Sequence, residues 1–114
     1  MKPKKIWANL AVANLERTKK FYEVLGFKAN DSHTSNELVT FFFGENDFVI
    51  HFFLDAIIAS NLKELSFADP QKNNEIIFTL SAESDVQVDQ WAEEVENAGG
   101  TIRRHQVRHQ QPEC

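Results

Sequence analysis

His51 lies inside a run of β-forming residues, Phe48 to Leu54, where alternation places it on one strand face with Asp47, Val49 and Phe53. A histidine so placed acts either as a general base or as a cavity residue hydrogen-bonded to a neighbour, and its apolar company favours the second role. His105 and His109 stand four apart, a spacing that puts two metal ligands on one helix face. Arg103, Arg104 and Arg108 surround that pair and repel a cation, so a flexible tail is the expected reading. Asp85, Asp89, Glu93 and Glu96 form an acidic row at helical spacing, which a solvated helix face explains without any ligand. The chain has no Gly-rich phosphate loop, nucleophile elbow or CxxC pair, which leaves nucleotide, serine-hydrolase and thiol-redox chemistry without a basis.

The elements that would position these residues follow from hydrophobic period. Ile6, Ala8, Leu10 and Val12 alternate with Trp7, Asn9, Ala11 and Ala13, as in a strand with one face on a core. Asn14 then caps a helix over about residues 15–25, with Leu15, Thr18, Phe21, Tyr22 and Leu25 on its apolar side and Gly26 at its end. Phe27 to Asp31 reads as a short strand and Ser32 to Asn36 as a loop. Leu38 to Phe43 and Phe48 to Leu54 are expected to pair antiparallel across Gly44-Glu45-Asn46-Asp47. A partly helical stretch over 55–67 leads into a breaker, Asp69 to Asn74.

After the breaker the opening pattern returns. Ile76, Phe78 and Leu80 alternate with Glu75, Ile77 and Thr79 as a further strand. Ser84-Asp85-Val86-Gln87 has the form of a capping box, in which the Ser84 and Gln87 side chains satisfy each other's backbone donors. Val88, Trp91, Ala92, Val95 and Ala98 make the expected buried stripe, and Gly99-Gly100 closes the helix. A β-α-β unit is thus used twice.

The composition bounds the rest. A chain of 114 residues, 42% hydrophobic and 25% charged, suits one globular unit, and ten Phe against one Tyr point to an interior lined by rings without hydroxyls. The longest apolar run is far shorter than the roughly 20 residues a membrane span needs, so no membrane partner is expected. The basic start does not continue into a leader-like apolar region, and Cys114 is the single cysteine; a cytoplasmic, reducing location is expected. Residues 6–102 carry six basic against sixteen acidic side chains, an acidic body that repels nucleic acid.

The segment Trp7 to Phe27, with its strand, Asn14-Leu15, Thr18 before Phe21-Tyr22, and Leu25-Gly26-Phe27, resembles the opening of vicinal oxygen chelate proteins, the glyoxalase, bleomycin-resistance and extradiol dioxygenase superfamily. Glu75 through Gly100 resembles the second module of the same family. The resemblance implies an α+β fold: a βαβββ half-barrel module over about 5–54, a connecting segment over 55–74, an incomplete second βαβ(ββ) module over about 75–105, and a tail over 106–114, all within one domain. Only 14 residues, Thr101 to Cys114, follow the second helix, room for one strand at Thr101–His105.

The resemblance also places the residues that hold a metal ion in metal-dependent relatives. Trp7 falls at the first ligand position, where an indole cannot coordinate, His51 at the second and Glu75 at the third, and the fourth has no counterpart. No metal or other cofactor is therefore expected. The expected function is the binding of a small, partly aromatic organic ligand in a cavity lined by Trp7, Asn9, His51, Phe53 and Glu75, by a homodimer. The alternative is a metal-dependent lyase of the lactoylglutathione-lyase kind, so whether the chain is an enzyme stays open at this point.

Overall fold

A computed structural model of the chain describes residues 1–33, 35–59, 72 and 76–102. It divides into two compact units, Met1–Ser81 and Ala82–Cys114. In the first, β1 (Trp7–Val12) leads into α1 (Leu15–Val24), then β2 (Lys28–Ala29), a 3₁₀ turn at Asp31–His33, β3 (Leu38–Phe43), β4 (Phe48–Leu54) and the short α2 (Asp55–Ala59). The four strands form one open sheet in the order β1-β4-β3-β2. β1 runs parallel to β4, while β3 pairs antiparallel with both β4 and β2. This is the expected βαβββ half-barrel module.

Local chemistry fixes both ends of α1. The Asn14 side chain accepts from the Arg17 N–H at 3.0 Å, satisfying one orphan donor of the first turn. At the other end Gly26 takes φ +96°, which lets its N–H reach Glu23 O and the Phe27 N–H reach Tyr22 O, both at 3.0 Å. The β3–β4 hairpin turns through Gly44 at φ +76° and Asp47 at φ 53°, closed by the Asp47 N–H on Gly44 O. β2 is shorter than the expected Phe27–Asp31: past Ala29 one more bond, from the Asn30 N–H to Thr40 O, ties the chain to β3, and from Asp31 it coils into the 3₁₀ turn, which runs into the expected loop.

The core sits between α1 and one face of the sheet. Val39, Phe41, Ile50 and Phe52 are buried, with Ala8, Leu10, Val12, Leu15, Tyr22, Phe27, Ala29, Phe43 and Phe48 packed around them. Tyr22 is its hub: its ring stacks on Phe52 with centroids 5.0 Å apart, and meets Phe41 and Phe43 at 5.5 Å and Phe27 at 6.0 Å. Phe21, expected in the core, instead lies beside Tyr22, edge to face at 5.0 Å and outside the core cluster. Adjacent helix positions point about 100° apart, so only one of the pair faces the sheet.

In the second unit α3 (Asp85–Asn97) is capped by Ser84, whose hydroxyl accepts from the Gln87 N–H at 3.1 Å. The Gln87 side chain accepts from the Glu83 N–H at 2.7 Å rather than from Ser84, one residue beyond the reciprocal bond expected. Gly99, at φ +104°, and Gly100 end the helix through bonds to Glu96 O and Val95 O, the same geometry as at Gly26. Two expectations for this half are corrected. Ile76 to Leu80 is not a strand: no ladder pairs it among the described residues, and Ile77 is 78% exposed. The stripe Val88, Trp91, Ala92, Val95, Ala98 holds no fully buried residue: Val88 and Trp91 are exposed and Ala92, Val95 and Ala98 are half-buried, because apolar spacing on a helix creates a face without ensuring its burial. The helix beyond Ala59, the breaker apart from Lys72, the strand beyond Ile102 and the tail lie outside the described residues.

Tyr22→Ala is expected to lower stability by about 3–5 kcal/mol as a core cavity mutant, and Phe21→Ala by much less; a denaturant titration ranks the two. Burial also pushes the Tyr22 phenol above its ordinary value of 10.0. The folded chain then holds the proton longer than the unfolded one, so this contribution is complete below pH 10.0 and is lost as pH rises from there through the folded pKa. Tyr22→Phe is expected to flatten that fall when stability is measured against pH.

Candidate functional site

Packing α1 on one face of the sheet leaves the other face, called the open face below, free of that helix, and strand register decides what shares it. Lys28, Phe42, Val49 and Trp7 fall in one row across β2, β3, β4 and β1. Thr40, His51 and Asn9 make the next row, and Leu38, Phe53 and Ala11 the third. A polar row thus lies between two largely apolar ones. With strands about 4.8 Å apart and rows about 6.7 Å apart, the three rows of β1, β4 and β3 cover roughly 10 by 13 Å.

The structure brings four of the five expected ligand-binding residues to this face. Trp7 is 54% exposed at the β1 edge, and its ring meets His51 edge-on with centroids 6.4 Å apart. His51 and Phe53 are half-buried and 6.1 Å apart, and Asn9 is exposed beside His51 in register. Glu75, the fifth, lies outside the described residues, as do His105 and His109.

Thr40 was not among the expected site residues. It is fully buried, and its hydroxyl lies 2.7 Å from His51 Nδ1. The signal for it was available: Leu38 to Phe43 is apolar except for this threonine, and parity puts it on the face opposite Val39 and Phe41. What the sequence lacked was the β3–β4 register that sets it opposite His51.

Among the described residues the open face offers no complete metal site. Trp7 offers an N–H donor and no lone pair, and His51, with Nδ1 on Thr40, has one ring nitrogen left. Among the described residues no group of three or more His, Cys, Asp or Glu side chains is placed to hold a cation. On the second unit Asp89, Ala92, Glu93, Glu96 and Ile102 line a shallow depression that gathers part of the acidic row onto one helix face.

The fold defines a class, that of small α+β proteins built on a βαβββ half-barrel module. The chain belongs to the Glyoxalase/Bleomycin resistance protein/Dioxygenase superfamily, whose family model matches residues 6–111. No curated protein matches it. Among solved structures it is similar to a hypothetical protein from S. aureus, with 25% identity over 96% of this chain and 80% of that one and a TM-score of 0.78. A glyoxalase/bleomycin resistance protein/dioxygenase family enzyme from Burkholderia phytofirmans PsJN shares the fold at 18% identity, covering 82% of this chain and 71% of that one, TM-score 0.66. A lactoylglutathione lyase from Agrobacterium tumefaciens does so at 20% identity over 98% and 81%, TM-score 0.54. No helix among the described residues is long and apolar enough to cross a membrane.

Trp7, more than half exposed, contributes little packing. Trp7→Ala is expected to change stability by less than about 1 kcal/mol, as measured by denaturant titration. A larger loss would make Trp7 a structural residue rather than a wall of the open face.

Proposed function

We propose that the chain binds a small, partly aromatic organic molecule on the open sheet face, in the manner of a bleomycin-resistance type binding protein. The observation that carries this reading is the row Thr40, His51, Asn9 set between two largely apolar rows, with Trp7 half exposed at the rim. Apolar walls with a few placed polar groups are what ligand sites offer, and a face of roughly 10 by 13 Å takes a ligand of one or two fused rings. Trp7 and Phe53 supply ring faces, while Asn9 and His51 orient the polar end.

A thermal-shift screen of aromatic small molecules tests the reading. A ligand at a hundred times its dissociation constant adds about 2.7 kcal/mol of stability, and Trp7→Ala and His51→Ala are each expected to weaken it. Hits indifferent to both substitutions would place the site elsewhere. Turnover of a methylglyoxal–thiol adduct, abolished by a chelator, would establish the lyase reading instead.

The protein further acts, in this proposal, as a cytoplasmic homodimer. Among the described residues β1 is an edge strand, and Ile6, Trp7, Ile76, Ile77, Phe78 and Leu80 expose large apolar surface. Sedimentation is expected to show a dimer at micromolar concentration that Ile77→Asp weakens; a monomer throughout that range would refute it.

A further inference from the structure

The Thr40 hydroxyl decides what kind of group His51 presents. Thr40 is 0% exposed, so water does not reach it, and among the described residues its hydroxyl has the His51 ring as its side-chain partner. A threonine hydroxyl carries one hydrogen that needs an acceptor. Were His51 Nδ1 protonated, it would donate to Thr40 Oγ1 and strand that hydrogen in a buried place without an acceptor. Burying an unmet donor disfavours that arrangement by roughly five- to 150-fold.

We infer that Thr40 is a positioning residue that sets the tautomer of His51: Thr40 Oγ1–H donates to Nδ1, and the ring carries its proton on Nε2. His51 therefore meets any group at Nε2 as an N–H donor. Two consequences follow. A metal ion, which needs the Nε2 lone pair, binds there only if the tautomer reverses and the Thr40 hydrogen is stranded. A ligand of the open face, in the reading proposed above, is selected for an acceptor oxygen, such as a carbonyl, where it meets His51. The register supports this, since it sets the fully buried Thr40 directly opposite His51, so the tautomer is fixed from the buried side.

Nitrogen NMR of the full chain carrying ¹⁵N-histidine, at pH about 8 where a free imidazole is neutral, reads the tautomer directly. Loss of one signal set in His51→Phe assigns the ring. The expected result is an unprotonated Nδ1 and a protonated Nε2, retained in Thr40→Ser; the reverse pattern overturns the inference. Thr40→Val removes the donor and is expected to raise the Nδ1–H population at least about fivefold; an unchanged tautomer in a folded Thr40→Val variant would show that Thr40 does not set it. If that variant does not fold, the wild-type and Thr40→Ser spectra still decide. The ligand class is tested with 2-acetylnaphthalene against 2-isopropenylnaphthalene, which has the same shape without the carbonyl acceptor. The ketone is expected to bind about five- to tenfold tighter, a preference lost in His51→Phe. Equal affinities would refute acceptor selection. Binding of neither probe to a chain with the expected tautomer would count against the open face as their site while leaving the Thr40 assignment standing.

Discussion

The docking of Tyr22 into a nest of phenylalanines is the constraint on which the first unit depends. Its ring stacks on Phe52 and touches Phe41, Phe43 and Phe27, so one side chain of α1 engages β3, β4 and the chain entering β2. Strand side chains alternate with period two, so committing Phe41 and Phe52 to the helix commits Thr40 and His51 to the opposite side. The site is the obligatory reverse of the core. A slip of one residue in either ladder would exchange the two sets.

The residues that form the core and those that form the open face differ in kind. The helix side is supplied almost wholly by Phe, Val, Ile and Leu, with one hydroxyl at Tyr22. The reverse carries Lys28, Thr40, His51 and Asn9 among its apolar positions. Asn9 and Lys28 keep contact with water, whereas Thr40 is buried and so must be hydrogen-bonded within the fold. The Thr40–His51 bond meets that requirement and orients the imidazole at the same time. Stability and the presentation of a functional group are served here by one contact.

The two helices show how far local sequence carries. Both begin at a side-chain cap, Asn14 or Ser84, and both end at a glycine of positive φ with paired bonds back to the last turn. Yet Leu15 and Tyr22 of α1, partly buried, pack against the core of the first unit, while Val88 and Trp91 of α3 stay exposed. Equal capping yields equal helices, and packing separates them.

What the sequence by itself determined were the features written in nearest neighbours and simple periods: the limits of β3 and β4, the cap and glycine stop of each helix, the hairpin, and the face on which Trp7, Asn9, His51 and Phe53 stand. The signature around Phe21-Tyr22 and Gly26 sufficed for the family as well. What only the tertiary structure decided depended on contacts between distant segments. Register placed Thr40 against His51, eleven residues away along the chain. Helix rotation chose Tyr22 over Phe21 as the core anchor. The alternation in Ile76 to Leu80 did not become a strand, because a period of two marks a surface able to pair, and pairing needs a neighbour that local sequence does not specify.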